Sequence, residues 1–167
     1  MSTGNRREAG FTYLGLMLLV TLIAIASVAT VQMGSVLQRQ DAEEELLAIG
    51  TEFRNALASY ANTTPAGQPR SPRALEDLLK DPRYPNPRRH LRKLYADPMT
   101  GKEIWGTVMT PDGTGIIAIH SLATTQPLKI GNFDAEFQDF AGKSTYTQWI
   151  FALPSELAGT SPRPQPR

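Results

Sequence analysis

Gly10-Phe11-Thr12-Tyr13-Leu14-Gly15-Leu16-Met17-Leu18-Leu19 is the stretch on which the reading of this chain turns. A short polar leader carrying Arg6, Arg7 and Glu8 stops there, and an apolar run begins at once. From Gly10 to Gln38 there is no Asp, Glu, Lys or Arg, which exceeds the roughly 20 residues that a helix needs to cross a bilayer. An ordinary secretory signal is cut after its apolar core. A cut at the Gly10-Phe11 step lies before it and removes only the charged leader, so the apolar segment stays in the mature chain as one span. Arg6 and Arg7 precede the span and Asp41, Glu43, Glu44 and Glu45 follow it. The positive-inside tendency then leaves the leader cytoplasmic and the carboxyl-terminal bulk outside. Two plainer readings stay open. Ala24-Ile25-Ala26 or Ser27-Val28-Ala29 has the small residues of a secretory cleavage site behind an apolar core at Leu14 to Ile23, and an uncleaved signal anchor needs no cut at all.

Beyond the span the apolar pattern becomes one-sided. Leu46, Phe53, Leu57 and Tyr60, with Ile49 and Ala56 beside them, recur at the three-to-four spacing of an amphipathic helix, while Glu44, Glu45, Glu52 and Arg54 take other faces. No Pro interrupts Phe11 to Asn62, so span and amphipathic half are expected as one continuous helix of about 50 residues, roughly 75 Å long. Gly34 and Gly50 fall inside it, as bend points or as sites of close packing.

Pro65, Gly67, Pro69 and Pro72 end that helix in a loop. Ser71 with Pro72 at a first helical position predicts a second helix with Leu75, Leu78 and Leu79 on its apolar face, stopped by Asp81-Pro82. Arg88-Arg89-His90-Leu91-Arg92-Lys93-Leu94-Tyr95 is the one concentrated basic patch. Its charges suit phosphate contacts. The helical spacing of Leu91, Leu94 and Tyr95 argues instead for a turn or two of helix docked on the core, with Arg88, Arg89, Arg92 and Lys93 as a solvated face open to an acidic neighbouring subunit. Ala96 to Gly101 reads as a turn. Ile104 to Met109 and Gly115 to Ser121 read as strands joined by a Pro111-Asp112-Gly113 hairpin, with a third strand at Tyr146 to Leu153. The Pro-rich end, 155–167, has the composition of a disordered tail.

This order resembles the type IV pilin-like family. The Gly-Phe-Thr junction is similar to a prepilin leader. The long helix, the loop and the carboxyl-terminal antiparallel sheet look like the pseudopilins of type II secretion, the G-type major pseudopilin above all. The residues that carry the second likeness are Asp97-Pro98, Trp105, Pro111-Asp112-Gly113 and Ile117-Ala118-Ile119-His120-Ser121. The resemblance implies an α+β fold in which a long N-terminal transmembrane and amphipathic helix packs on a small C-terminal antiparallel sheet. Its segments are a leader at 1–10, a transmembrane half at 11–37, an amphipathic half at 38–62, a periplasmic domain at 63–154 and the tail. It also implies a single-pass protein of the bacterial inner membrane, cut between Gly10 and Phe11 and N-methylated on Phe11. The implied partners are a prepilin peptidase, other pseudopilins, an inner-membrane assembly platform and the lipid bilayer. A minor type IV or competence pilin shares these features and would display a surface for adhesion or DNA.

The chain departs from the family twice. The fifth mature residue is usually Glu, set against a neighbour's amino terminus; here it is Gly15, which puts a major-subunit role in doubt and fits a filament tip. G-type pseudopilins are implied to hold Ca²⁺ in an acidic, glycine-rich loop before the last strand. The corresponding stretch here, Gly131 to Asp139, lacks that glycine-rich pattern but offers Asp134, Glu136 and Asp139 as oxygen ligands.

Other chemistries find less support. Cysteine is absent, which excludes disulfide staples and thiol redox work. Removing Arg6, Arg7 and Glu8 from the 17 basic and 16 acidic residues leaves equal numbers, so bulk charge does not point to nucleic acid. His90 and His120 are the two histidines, and neither has the paired spacing of a zinc helix. No phosphate loop or nucleophile elbow is present. A membrane-anchored periplasmic enzyme using Ser121 or Asp112 is the remote alternative, and no catalytic role is expected.

Overall fold

Residues 8–62 carry no Pro and end at a Thr- and Pro-containing segment, and in the computed structural model they form one α-helix, α1, Glu8–Asn62. The structure describes residues 8–154, with the side chains of 13–24 and 36–154. Leader residues 1–7, the side chain of Phe11 and the tail 155–167 lie outside the described set. The chain divides into two units, Met1–Arg39 and Gln40–Arg167.

In the first unit the described side chains at 13–24 are exposed all round the helix, Leu14 at 68% and Leu18 at 64%. Thr21 turns its hydroxyl back to the carbonyls of Met17 and Leu18, which satisfies its proton within the helix. Among the described residues no helix is long and apolar enough to cross a membrane; the apolar run continues through 25–35, whose side chains are outside that set.

The second unit is α+β. Leu46, Ile49, Phe53, Ala56, Leu57 and Tyr60 are all buried, so the stripe read from the spacing is the core face of α1. It is covered by a three-stranded antiparallel sheet in the order β1 (Gly106–Met109), β2 (Ile116–His120), β3 (Phe151–Ala152). Gly106 pairs with His120 and Thr107 with Ile119, and the register shifts by a bulge between Val108 and Met109. The hairpin closes where Gly113 N–H donates to the Thr110 carbonyl, with Gly113 at φ +70°, a conformation that costs glycine nothing. Ala118 and Ile119 pair with Ala152 and Phe151. Gly50 is a close-packing site rather than a bend: the Phe151 ring lies where its Cβ would be, 2.1 Å from Cε1. Trp149 stacks on Phe140, and Phe137 meets Phe151 edge-on, which seals the end of the sheet.

Three expected elements differ. The helix after Pro72 is a single 3₁₀ turn, Leu75–Leu78. Ala74 is extended at φ −140° and ψ 160°, and the Pro72 carbonyl accepts from Ile116 N–H at 2.8 Å, so no α-helix starts there, while Pro82, without an N–H, cannot serve the Leu78 carbonyl. That carbonyl instead accepts from the His90 and Leu91 amides at 2.8 and 2.9 Å. For the same reason no helix forms at 88–95. The Arg88 carbonyl, which would accept the first helical bond, accepts from Asp81 N–H at 2.9 Å, and with the amides of 90 and 91 on Leu78 the segment packs as irregular chain. Its docking is retained, with Leu91 buried and Leu94 and Tyr95 partly so. The third strand shrinks to Phe151–Ala152, because Tyr146–Gln148 coils into a 3₁₀ turn that buries Tyr146.

Candidate functional site

Helix α1 ends with carbonyls that have no partner of their own along the helix. Arg83 supplies one. Its guanidinium lies 3.5 Å over the Tyr60 ring, donates to the Tyr60 carbonyl at 3.0 Å, and reaches Thr64 Oγ1 and the Pro69 carbonyl. Asp81, fully buried, holds Arg83 by two further bonds of 2.8 and 2.7 Å and accepts the Arg83 amide. Burial alone would raise the Asp81 carboxyl. The hydrogen bonds from Arg83 and His90 outweigh it and hold the group at about 2, below its ordinary 3.8. Burial pushes the Tyr60 phenol up. Tyr84 adds a bond from its hydroxyl to the Thr63 carbonyl.

This knot fixes the segment that carries the cations. Arg88, Arg89, Arg92 and Lys93 are all exposed on it. Arg88 lies 5.1 Å from the Tyr84 ring and Lys93 5.1 Å from that of Tyr95. Arg89 and Arg92, joined by Lys80, border a pocket of about 390 Å³ with Leu79 and Pro87. No described carboxylate pairs with these three cations. The sequence patch is therefore a real surface feature, and Lys80 is an addition that its distance along the chain had hidden. On α1, Asp41, Glu44, Glu45 and Glu52 are exposed and form an acidic face. Glu43 does not belong to it: it is 3% exposed and turned inward. Its spacing from Leu46, Gly50, Phe53 and Leu57 is that of the core stripe, a signal the acidic run obscured.

The proposed calcium ligands are exposed but not gathered. Glu136 is taken by Arg54, whose guanidinium lies 2.5 Å from it. Among the described residues no group of three or more acidic, His or Cys side chains is placed to hold a metal ion. A Ca²⁺ ion would need Asp134, Glu136 and Asp139 to converge on one point and Glu136 to leave Arg54.

Asp97, at the Asp-Pro turn, is fully buried. Its carboxylate accepts from Met99 N–H, the Thr100 hydroxyl and, at 2.7 Å, the Ser121 hydroxyl. Ser121 thus joins the turn to the end of β2. His120 Nδ1 is 2.9 Å from the Ser121 carbonyl and its ring covers Gly106. Asp112 sits at the hairpin tip, where hydrogen bonds from Thr110 and Thr114 lower its pKa. One constellation escaped the sequence reading: Ser59 Oγ lies 2.9 Å from His90 Nδ1, and His90 Nε2 lies 3.2 Å from Asp81. The order Ser, His, Asp is that of an acyl-transfer relay. Here the carboxylate is already bound to Arg83, and the serine is in the last turns of α1, where the negative end of the helix dipole opposes an oxyanion. These bonds tie His90 between the last turn of α1 and Asp81.

Comparison with known proteins returned no matching family model, no matching curated protein and no matching solved structure.

Proposed function

We propose that this chain is a pilin-like structural subunit of a type II secretion-type periplasmic filament, held in the bacterial inner membrane by the amino-terminal part of α1. The observation that carries the reading is the architecture of α1 itself. One helix passes from a stretch with apolar side chains exposed on every face to a stretch whose single apolar stripe is the core of a small α+β domain. A helix apolar all round requires a surrounding lipid or protein phase, and an exposed run of this kind is a contact surface. The Gly10-Phe11 step at the start of that run supports processing by a prepilin peptidase and methylation of the new Phe11 amine. Gly15 supports a tip position.

The charge layout supports assembly with like subunits. The cationic pocket of Lys80, Arg89 and Arg92 and the acidic face of α1 are complementary but lie on different parts of one chain. Such a pair makes a head-to-tail contact, and a head-to-tail contact that does not close builds a filament. The same pocket is what a minor type IV or competence pilin would use against DNA phosphates, and it keeps that second reading in play.

Amino-terminal mass spectrometry of the protein extracted from membranes tests the proposal. A mature chain starting at methylated Phe11, with processing blocked in Gly10→Val, is the expected result. A start after Ala26 or Ala29 would overturn it in favour of a secreted soluble domain, and an intact leader would overturn it in favour of a plain signal anchor.

A further inference from the structure

Three acids in a row, Glu43, Glu44 and Glu45, meet different fates, and the first of them has work that the filament reading does not use. Glu43 is 3% exposed, and no described cation lies within ion-pair distance of it. Its carboxylate accepts three hydrogen bonds. Leu128 N–H and the Tyr146 hydroxyl each approach Oε1 at 2.5 Å, and Lys129 N–H approaches Oε2 at 3.1 Å. The donors lie 85, 86 and 103 residues along the chain from the acceptor, in the loop after β2 and in the 3₁₀ turn before β3.

A buried carboxylate without a counter-charge is tolerated when its lone pairs are filled, and consecutive backbone amides are well suited to filling them. Leu128 and Lys129 can aim both amides at one anion only in a specific loop conformation. The Glu43 carboxylate therefore selects that conformation, and with it the placing of Leu122, Leu128 and Ile130, which are exposed on the same loop. A calcium loop works by converging oxygens on a cation. This loop has the inverse chemistry, with N–H and O–H groups converging on an anion that α1 itself provides.

We infer that Glu43 is a positioning residue that fastens the 121–134 loop to α1, so that the loop holds its shape at Leu128 and Lys129 without a divalent cation, just before the 131–139 stretch to which the resemblance assigns Ca²⁺. The comparison with calcium rests on the pilin-like reading, whereas the clamp stands on the hydrogen bonds alone. A mature start elsewhere than Phe11 would remove the first and leave the second intact.

The test is hydrogen exchange at the Leu128 and Lys129 amides of the full chain in detergent micelles, with EGTA and with millimolar CaCl₂. Wild type should show the same protection in both. Glu43→Gln, which turns an amide N–H toward groups that are themselves donors, should speed exchange at both positions by on the order of tenfold, and trypsin should then cut after Lys129 sooner. Unchanged exchange in Glu43→Gln would overturn the inference. So would protection that rises with CaCl₂ in wild type and loses that rise in Glu136→Gln. If Glu43→Gln does not fold, Tyr146→Phe takes its place, since it removes one donor and keeps the ring. Exchange about threefold faster at the same two amides supports the clamp, and no change refutes it.

Discussion

Replacing Asp81 by Asn tests the knot that ends α1, and its effect should depend on pH in a way that no neutral packing defect would. The Asp81 side chain is fully buried between Arg83 and His90, and hydrogen bonds to Arg83 and His90 hold its carboxyl at about 2 against an ordinary 3.8 despite burial, which acts the other way. Each tenfold change in proton affinity is about 1.4 kcal/mol, so a depressed carboxyl of this size stabilises the folded chain by roughly 2 kcal/mol. That contribution is fully present above 3.8 and is lost as pH falls through about 2. At pH 7, Asp81→Asn leaves the Arg83 guanidinium, 5% exposed, without its counter-charge, a loss of roughly 3 to 5 kcal/mol. Urea unfolding of the full chain in micelles, followed by fluorescence of the buried Trp105 and Trp149, reads both quantities. The gap between wild type and variant should be largest at pH 7 and close by roughly 2 kcal/mol toward pH 2. Curves that stay parallel across that range would refute the assignment of the charge to Asp81.

Two surface and packing changes give further checks. Ala is normally the better helix former than Gly by about 1 kcal/mol, yet Gly50→Ala should lower the thermal midpoint by several degrees, because the new methyl would fall on the Phe151 ring; a rise would refute the packing. Arg89→Glu combined with Arg92→Glu should leave the midpoint of the monomer within a few degrees and reduce crosslinked multimers in membranes, and Glu44→Lys with Glu45→Lys should restore them. Unchanged multimers would exclude this pocket as the contact, and loss of DNA uptake with export intact would move the assignment to a competence pilin.

Periodicity and punctuation made the large features legible. The absence of Pro from 11 to 62, the stripe Leu46, Phe53, Leu57 and Tyr60, and the Pro111-Asp112-Gly113 turn are local signals, and the helix, its core face and the hairpin follow from local physics: backbone continuity, side-chain period and a positive φ. The exposed basic patch was legible too, since charge near the surface is the low-energy default. The smaller elements were not. Whether 72–81 and 88–95 became helices depended on carbonyls taken from outside each segment, that of Pro72 by the Ile116 amide and that of Arg88 by the Asp81 amide. Competition of that kind has no local signature.

The long helix, the polar-to-apolar boundary at Gly10-Phe11 and the hairpin at Pro111-Asp112-Gly113 were determined by the order of residues alone, because each depends on neighbours within a few positions. Tertiary structure decided the fates of the charges. Of Asp41, Glu43, Glu44 and Glu45, Glu43 alone keeps the spacing of the core stripe, and the arrival of Leu128, Lys129 and Tyr146 makes it an anchor while its neighbours remain in solvent. Asp81 and Asp97 combine local donors, Arg83 for the first and Met99 and Thr100 for the second, with His90 and Ser121 from farther along the chain, and Glu136 pairs with Arg54. A buried charge is stable only where several donors converge on it, and convergence is a property of the folded chain.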